Sequence, residues 1–543
     1  MGKSVYVREA TGLVKEASWF DVFMYNQASM LAAAAPIWGV GFYIYLGGDF
    51  FTMWWLSIVL SVFLVLTYYL LSCAMPRAGS DYTYDSRILH PAIGFVVAGL
   101  MGFGQALLNV VYSAVGWVST GIAPVLLYAS FATNNPSLAD LAVAISSPLF
   151  YFLLATITIV GFGFILVVGG FKRFLLFENI VMVISLIGMI AMFLVCLTTP
   201  HSEFVSMFDT VAKNYGTSYS DILAKSAASG WSSPPATPVQ TLMILPGIMS
   251  FTWFGMQSTA FAGEIKNIKK SNMFGMTLSV IVFATLFIAA FAACVNMIGY
   301  DFATAMANIS YNNPSAISIP VLIPWSAVFF YGLASKNLAI AILIALAPMF
   351  SYLAGTGVFI LVFCRFLFAM SFDRVLPEFV SRIDERFHSP RNSVILSVVI
   401  SIAILAVTQV LSAVPSTSTY TLYIGLMPNA LMQSTFLITA FSLAVFPYLR
   451  KELYEQVFPF KRKIAGIPIA TWVGTISIGI VLYTLDIWFL QPFSPLVYGG
   501  FTWFGYLIVA FSVLMIITYY GIKAYRAHQG IDVSLAFKQI PPE

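Results

Sequence analysis

From end to end, long apolar stretches of this chain alternate with short polar ones. Roughly 20 apolar residues suffice for a helix to cross about 30 Å of hydrocarbon. Stretches of that size lie near 20–46, 51–74, 92–127, 148–168, 177–197 and 239–261, and again near 276–298, 338–368, 394–411, 420–448, 469–490 and 499–522. The pattern predicts an all-α polytopic membrane protein of twelve transmembrane helices. It divides the chain into an N-terminal segment 1–19, five spans over 20–197, a loop 198–238, five more spans over 239–448, an accessory pair over 469–522 and a tail 523–543.

Charge sets the orientation. Of the 26 Lys and Arg residues, all but Lys213, Lys225 and Lys336 fall in every second connection or at its edge. The bias predicts that both termini are cytoplasmic and that 198–238 and 299–337 are external loops. An odd number of spans would break it. Composition agrees, because 60% hydrophobic and 9% charged residues do not make a soluble surface. The net charge of +4 reads as attraction of cytoplasmic loops to anionic headgroups. The lipid bilayer is therefore a partner and nucleic acid is not. Cys73, Cys196, Cys294 and Cys364 sit inside predicted spans and imply small buried residues rather than disulfides. Asn308-Ile309-Ser310 fits a glycosylation sequon in an external loop.

Two spans carry internal breakers, and transporters place their sites where helices are interrupted at membrane depth. The first runs Tyr25-Asn26-Gln27-Ala28-Ser29-Met30-Leu31-Ala32-Ala33-Ala34-Ala35-Pro36, where the proline removes a backbone donor. The sixth runs Pro246-Gly247-Ile248-Met249-Ser250-Phe251-Thr252-Trp253-Phe254-Gly255-Met256-Gln257-Ser258-Thr259, predicting unwinding near Gly255. Small residues that merely let helices approach are the alternative for either span alone. As the first members of two sets of five, however, they fit an inverted five-plus-five repeat. Half-helix N–H groups suit a carboxylate and freed carbonyls suit an ammonium or a cation.

Three segments resemble the amino acid–polyamine–organocation (APC) permeases, whose members adopt the LeuT-type fold. Met75-Pro76-Arg77-Ala78-Gly79-Ser80-Asp81-Tyr82-Thr83-Tyr84 resembles the family's Pro-Arg-Ala-Gly-Gly-Asp-Tyr-x-Tyr signature. Gly263-Glu264-Ile265-Lys266-Asn267 is similar to its Glu-x-Lys-Asn-Pro, with Ile268 where proline is usual. Phe368-Ala369-Met370-Ser371-Phe372-Asp373-Arg374-Val375-Leu376-Pro377 is similar to its Tyr-Ala-Met-Ala-Arg-Asp-Gly-Leu-Leu-Pro. With span count and motif order, the resemblance covers essentially the whole chain. Two departures matter. Ala32-Ala33-Ala34 replaces the usual Gly-x-Gly of span 1, so the break there is shorter or shifted. Ser185 stands where some proton-coupled members carry a lysine.

The resemblance implies a secondary active transporter of amino acids in the cell membrane, working by alternating access and without a cofactor. The expected substrate-binding residues are Ser29, Met30, Ala32, Ala33 and Ala34 of span 1 with Phe251, Thr252, Trp253, Phe254, Gly255 and Gln257 of span 6. Sodium and the proton are the candidate coupling ions, with Ser185, Ser351 and Thr356 as candidate ion-site hydroxyls; the absent lysine favours sodium or uncoupled exchange. Arg77 and Asp81, with Asp85 and Arg87, are candidates for a cytoplasmic charge latch, and Phe251 and Trp253 for an aromatic gate. Glu264, beside Lys266 and Lys269, reads as a helix-end cap in preference to part of an inward gate. Glu178 and Asp486 are expected to reach the interfaces, which leaves no buried carboxylate relay and no fixed counter-charge for a cationic substrate. Neutral amino acids are the expected substrates. An exchanger, a polyamine or cationic amino acid permease, and an amino-acid-sensing transceptor remain the alternatives. A membrane enzyme lacks its constellation, since His90, His201, His388 and His528 are scattered over loops and tail.

Overall fold

The computed structural model describes residues 11–33, 47–233, 235–312, 316, 327–384, 386–414, 418–489 and 501–540. Ala34, Ala35 and Pro36 lie outside the described residues. Within them, ten helices are long and apolar enough to cross a membrane. One of these, Pro148–Thr198, runs 51 residues, far more than one crossing needs. It turns at Gly170, whose φ of +74° is the left-handed region that glycine tolerates. The chain is thus an all-α polytopic membrane protein.

The elements used below are α1 (Trp19–Ala33), α2 (Phe50–Ala74), α3 (Ser80–Ile88), α4 (Pro91–Ala132), α5 (Gly170–Thr198), α6 (Pro238–Thr252), α7 (Ile268–Ile298), α8 (Leu338–Phe372), α9 (Ser418–Leu449) and α10 (Ile469–Phe489). Helix α8 is the hub, touching α1, α4 and α5. Every residue from Val358 to Phe372 is buried, as expected of a helix surrounded by others. Arg365 lies inside this helix and is 1% exposed.

Helix α5 shows how apolar surface is shared between core and lipid. Leu176, Ile180, Val183, Ile187, Ile190, Leu194 and Leu197 are exposed at intervals of three and four residues. Phe174, Glu178, Val181, Ser185, Gly188 and Met192 form the buried face. A Cβ on Gly188 would stand 2.5 Å from the Leu343 carbonyl oxygen, so this glycine lets α5 lie directly on the α8 backbone. Gly355 of α8 does the same for α1, where its Cβ would meet that of Ala32 at 2.2 Å.

Residues 198–238 and 299–337, expected as loops, contain the helices His201–Ala212, Tyr219–Ala228, Tyr300–Asn312 and Ala327–Ser335. Aromatic contacts join them, including Tyr219 stacked on Phe302 at 4.1 Å and Phe208 edge-on to Phe302 at 5.0 Å. Asn308 is 5% exposed, and its amide donates to Ser226 at 3.2 Å and Ser229 at 3.1 Å. The sequon there is therefore packed between helices rather than offered at the surface. All four cysteines are free and buried.

Candidate substrate site

Helix α6 stops being an α-helix at Trp253, where a 3-10 segment, Trp253–Ala260, takes over. The sequence prepares this change. Pro246 has no N–H for the carbonyl of Leu242, and the hydroxyl of Tyr483 on α10 donates to that freed oxygen instead. Ser250 and Thr252 then bond back to Gly247 and Met249 carbonyls at 2.7 and 2.8 Å, drawing hydroxyls onto the last α turn. The break at Gly255 expected from the sequence falls inside the 3-10 segment. Its glycine is needed for a close approach, since a Cβ would lie 3.1 Å from both Met30 Sδ and Val280.

Span 1 differs from expectation. Helix α1 runs unbroken through Ala33, so Ala32 and Ala33 do not open into free amides, and any break lies beyond the described residues. Alanine's high helix propensity and the fit of Ala32 against Gly355 both hold this turn closed. What α1 does contribute is a polar clasp on the 3-10 segment. Asn26 donates to Ser258 Oγ at 3.1 Å and accepts from the Ser258 amide at 3.1 Å. The Ser29 hydroxyl lies 2.7 Å from the carbonyl oxygen of Phe254 and 2.8 Å from that of Asn26. Gln27 points away and donates to the Ser279 carbonyl at 2.8 Å. Asn26 and Ser258 were not among the expected site residues; their signal was the spacing of polar residues in both broken spans.

The remaining residues of span 6 are buried among aromatics. Phe251 stacks on Phe287 at 6.1 Å, Trp253 lies 5.9 Å from Phe436, and Phe254 meets Phe359 edge-on at 5.8 Å. Thr252 bonds Ser61 at 2.7 Å. Among the described residues, the Gln257 side chain reaches the sulfur of Met432, 4.0 Å away. It lines a cavity of about 10 Å³ together with Tyr68, Ser80, Asp81, Met101, Met256, Thr259, Ala260, Phe366 and Phe436. That is about the room one water needs and far too little for an amino acid. One turn from the cavity wall, Gln105 of α4 and Gln433 of α9 are both fully buried with neither amide atom hydrogen-bonded.

The hydroxyls considered for an ion divide. Ser185 of α5 and Ser351 of α8 are brought together at 2.7 Å, with Ser185 also 2.8 Å from the Ala347 carbonyl. Thr356 is not part of this group and bonds its own helix at Tyr352, 3.0 Å away.

The charges are arranged differently from the expected latch. Arg77 bonds the Pro76 carbonyl at 2.8 Å, and Arg87 pairs with Asp373 at 2.7 Å rather than with Asp81 or Asp85. Glu264 is no helix-end cap: both its oxygens receive Arg365 at 2.7 Å, with the two side chains 1–2% exposed. The sequence could not show this, because the partners lie 101 positions apart. Glu178 does not reach the interface either; it is fully buried in α5, and neither carboxyl oxygen has a hydrogen-bond partner.

The turn after α2 has a geometric purpose. Gly79 takes φ +90°, gives its N–H to the Ala260 carbonyl at 3.0 Å and leaves no space for a Cβ, which would lie 2.5 Å from that of Ala369. Ser80 bonds Thr259 at 2.7 Å. Ala17, just before α1, pairs with Ile265. The end of span 6 is therefore gripped by the α2–α3 turn and by the segment leading into α1.

A helical membrane bundle whose sixth span changes helix type at a buried polar clasp is built as a solute carrier. The model of the family described as "Amino acid permease" matches residues 18–517, so the chain belongs to that family, within the APC superfamily, and a LeuT-type fold is consistent with it. No curated protein matches the chain.

Proposed function

We propose that this permease is a secondary active transporter of neutral amino acids working by alternating access, with ten core spans as two inverted halves and two accessory spans. Both termini would then lie in the cytoplasm and the protein in the cell membrane, following the charge bias. The observation that carries this reading is the clasp of Asn26 and Ser29 on the 3-10 segment of span 6. A 3-10 segment has poorer hydrogen-bond geometry than an α-helix and serves as a hinge where helices change state. Ser29 and Met30 border it, Phe251 and Thr252 lead into it, and residues 253–257 lie within it. Opening the clasp would release the Phe254 carbonyl for a substrate ammonium, and Gln257 stands at the cavity wall beside it.

Uptake of radiolabelled amino acids by proteoliposomes, with proton and sodium gradients imposed separately, tests the reading. Accumulation of neutral amino acids supports it. Binding without uptake would make the protein a transceptor instead. One observation favours a second reading, transport of a cationic amino acid or amine: Asp81 lines the cavity.

A further inference from the structure

Helix α3 carries two buried carboxyls, Asp81 and Asp85, one turn apart and 1% and 0% exposed. Among the described residues, neither is bonded to a cation. Asp81 Oδ1 accepts from the Tyr68 hydroxyl of α2 and lies 2.8 Å from Thr439 Oγ1 of α9. Asp85 Oδ2 lies 2.9 Å from the same Thr439 oxygen, and its Oδ1 accepts from Ser442 at 2.5 Å. Asp81 Oδ2 has no hydrogen-bond partner, and Asp81 lines the small cavity beside the 3-10 segment of span 6.

Donor counting decides the protonation. A threonine hydroxyl has one hydrogen, yet Thr439 contacts a carboxyl oxygen on either side. If both carboxyls were ionised, one contact would set a hydroxyl lone pair against a carboxylate oxygen. One carboxyl must therefore carry a proton and donate it to Thr439. Asp81 Oδ1 is already served by Tyr68, so the consistent arrangement has Asp85 Oδ2–H donating to Thr439 and Thr439 donating to Asp81. Like charges this close in a buried site cannot both ionise. Burial, and after it the charge of Asp81, holds the Asp85 carboxyl well above the usual carboxylate range.

The titratable groups facing the pair are Tyr68 from α2 and Tyr84 from α3 itself. Among the described residues, helix α9 offers the hydroxyls of Thr439 and Ser442, and the 3-10 segment has no titratable side chain. The nearby guanidiniums are engaged elsewhere, Arg87 with Asp373 and Arg365 with Glu264.

We propose that Asp81 and Asp85 form the proton-coupling site of this permease, holding one shared proton through Thr439 and exchanging it through the cavity beside span 6. The pair ties α3 to α2 and α9, and the cavity wall is the segment that must move for substrate to pass. Loading the site with a proton stabilises the closed packing. Opening the cavity admits water to Asp81; Asp85 passes its proton to the Thr439 oxygen as Thr439 passes its own to Asp81, and Asp81 releases that proton to the water, leaving the pair with a second negative charge. This inference rests on the transport reading above, and it replaces the sodium or uncoupled exchange expected from Ser185.

The test uses the full chain in two assays. Infrared spectra of the purified protein should show a protonated carboxyl band that titrates with pH. Asp85→Asn should remove it, Asp81→Asn should shift its titration to lower pH without removing it, and Glu178→Gln should keep it. In sodium-free proteoliposomes with the membrane voltage clamped, an inward proton gradient should accumulate labelled alanine and leucine by up to about tenfold per pH unit, the limit for one proton per substrate. Asp85→Asn should abolish accumulation while exchange of the same amino acids at symmetric pH persists. Intact exchange with no response to the proton gradient would overturn the proposal, as would loss of the band and of coupling only in Glu178→Gln. Absent exchange of every amino acid tried in the wild type would sink the transport reading instead, and the infrared band would still decide whether the pair holds its proton.

Discussion

At residue scale, function concentrates in small side chains and paired charges. Gly255 sits 3.1 Å, measured from the position of a Cβ, from Met30 and Val280. Gly255→Leu should therefore abolish substrate binding while the protein remains monodisperse and inserted; wild-type affinity in a binding assay would displace the site from this break. Glu264 and Arg365 are a buried bidentate pair, and stranding one member of such a pair costs about 3–5 kcal/mol. Glu264→Gln should lower thermal stability accordingly, and adding Arg365→Met should recover much of the loss. Gly79, Gly255 and the polar patch at Asn26 were visible as motifs. Thr439, Ser442 and Arg365 were not, because hydroxyls inside a span and an arginine near its end say nothing of their partners until helices hundreds of residues apart are packed.

At element scale, span 6 is divided by side chains that belong to other helices. Tyr483 of α10 supplies the donor that Pro246 lacks. Tyr483→Phe should leave the Leu242 carbonyl unsatisfied in an apolar setting, a loss of about 1–3 kcal/mol, read as a lower midpoint in thermal unfolding. Transport should slow with it, since the proline turn leads straight into the 3-10 segment. The contrast with span 1 is instructive. Both spans carry a proline and a polar run, but Ala32 and Ala33 keep α1 helical as far as it is described, whereas glycines and back-bonding hydroxyls let α6 change type at Trp253.

At the scale of the whole molecule, selectivity follows from how the buried carboxyls are occupied. If Asp81 and Asp85 hold their one proton in the closed state, the single negative charge that remains is engaged by the hydroxyls of Tyr68 and Thr439 rather than held ready for a cationic substrate. Neutral amino acids should then compete for uptake at least about tenfold better than arginine or lysine, a figure scaled down from the roughly 2.5–3.5 kcal/mol cost of an unpaired charge at membrane depth. Arginine or lysine as the best competitor would instead assign Asp81 to the substrate. The sequence by itself determined the membrane class, the approximate spans, the family resemblance and the break in span 6, because the span length needed to cross a bilayer and the conformational limits of proline and glycine are local properties. Only the tertiary structure decided which apolar face of α5 turns to lipid, that Asn308 is packed inside, that Glu264 belongs to Arg365, and that two aspartates share one threonine. The physical reason is that lipid and protein core are equally apolar, so hydrophobic periodicity loses its directional meaning in a membrane, and the buried polar groups find partners through packing rather than through proximity in the chain.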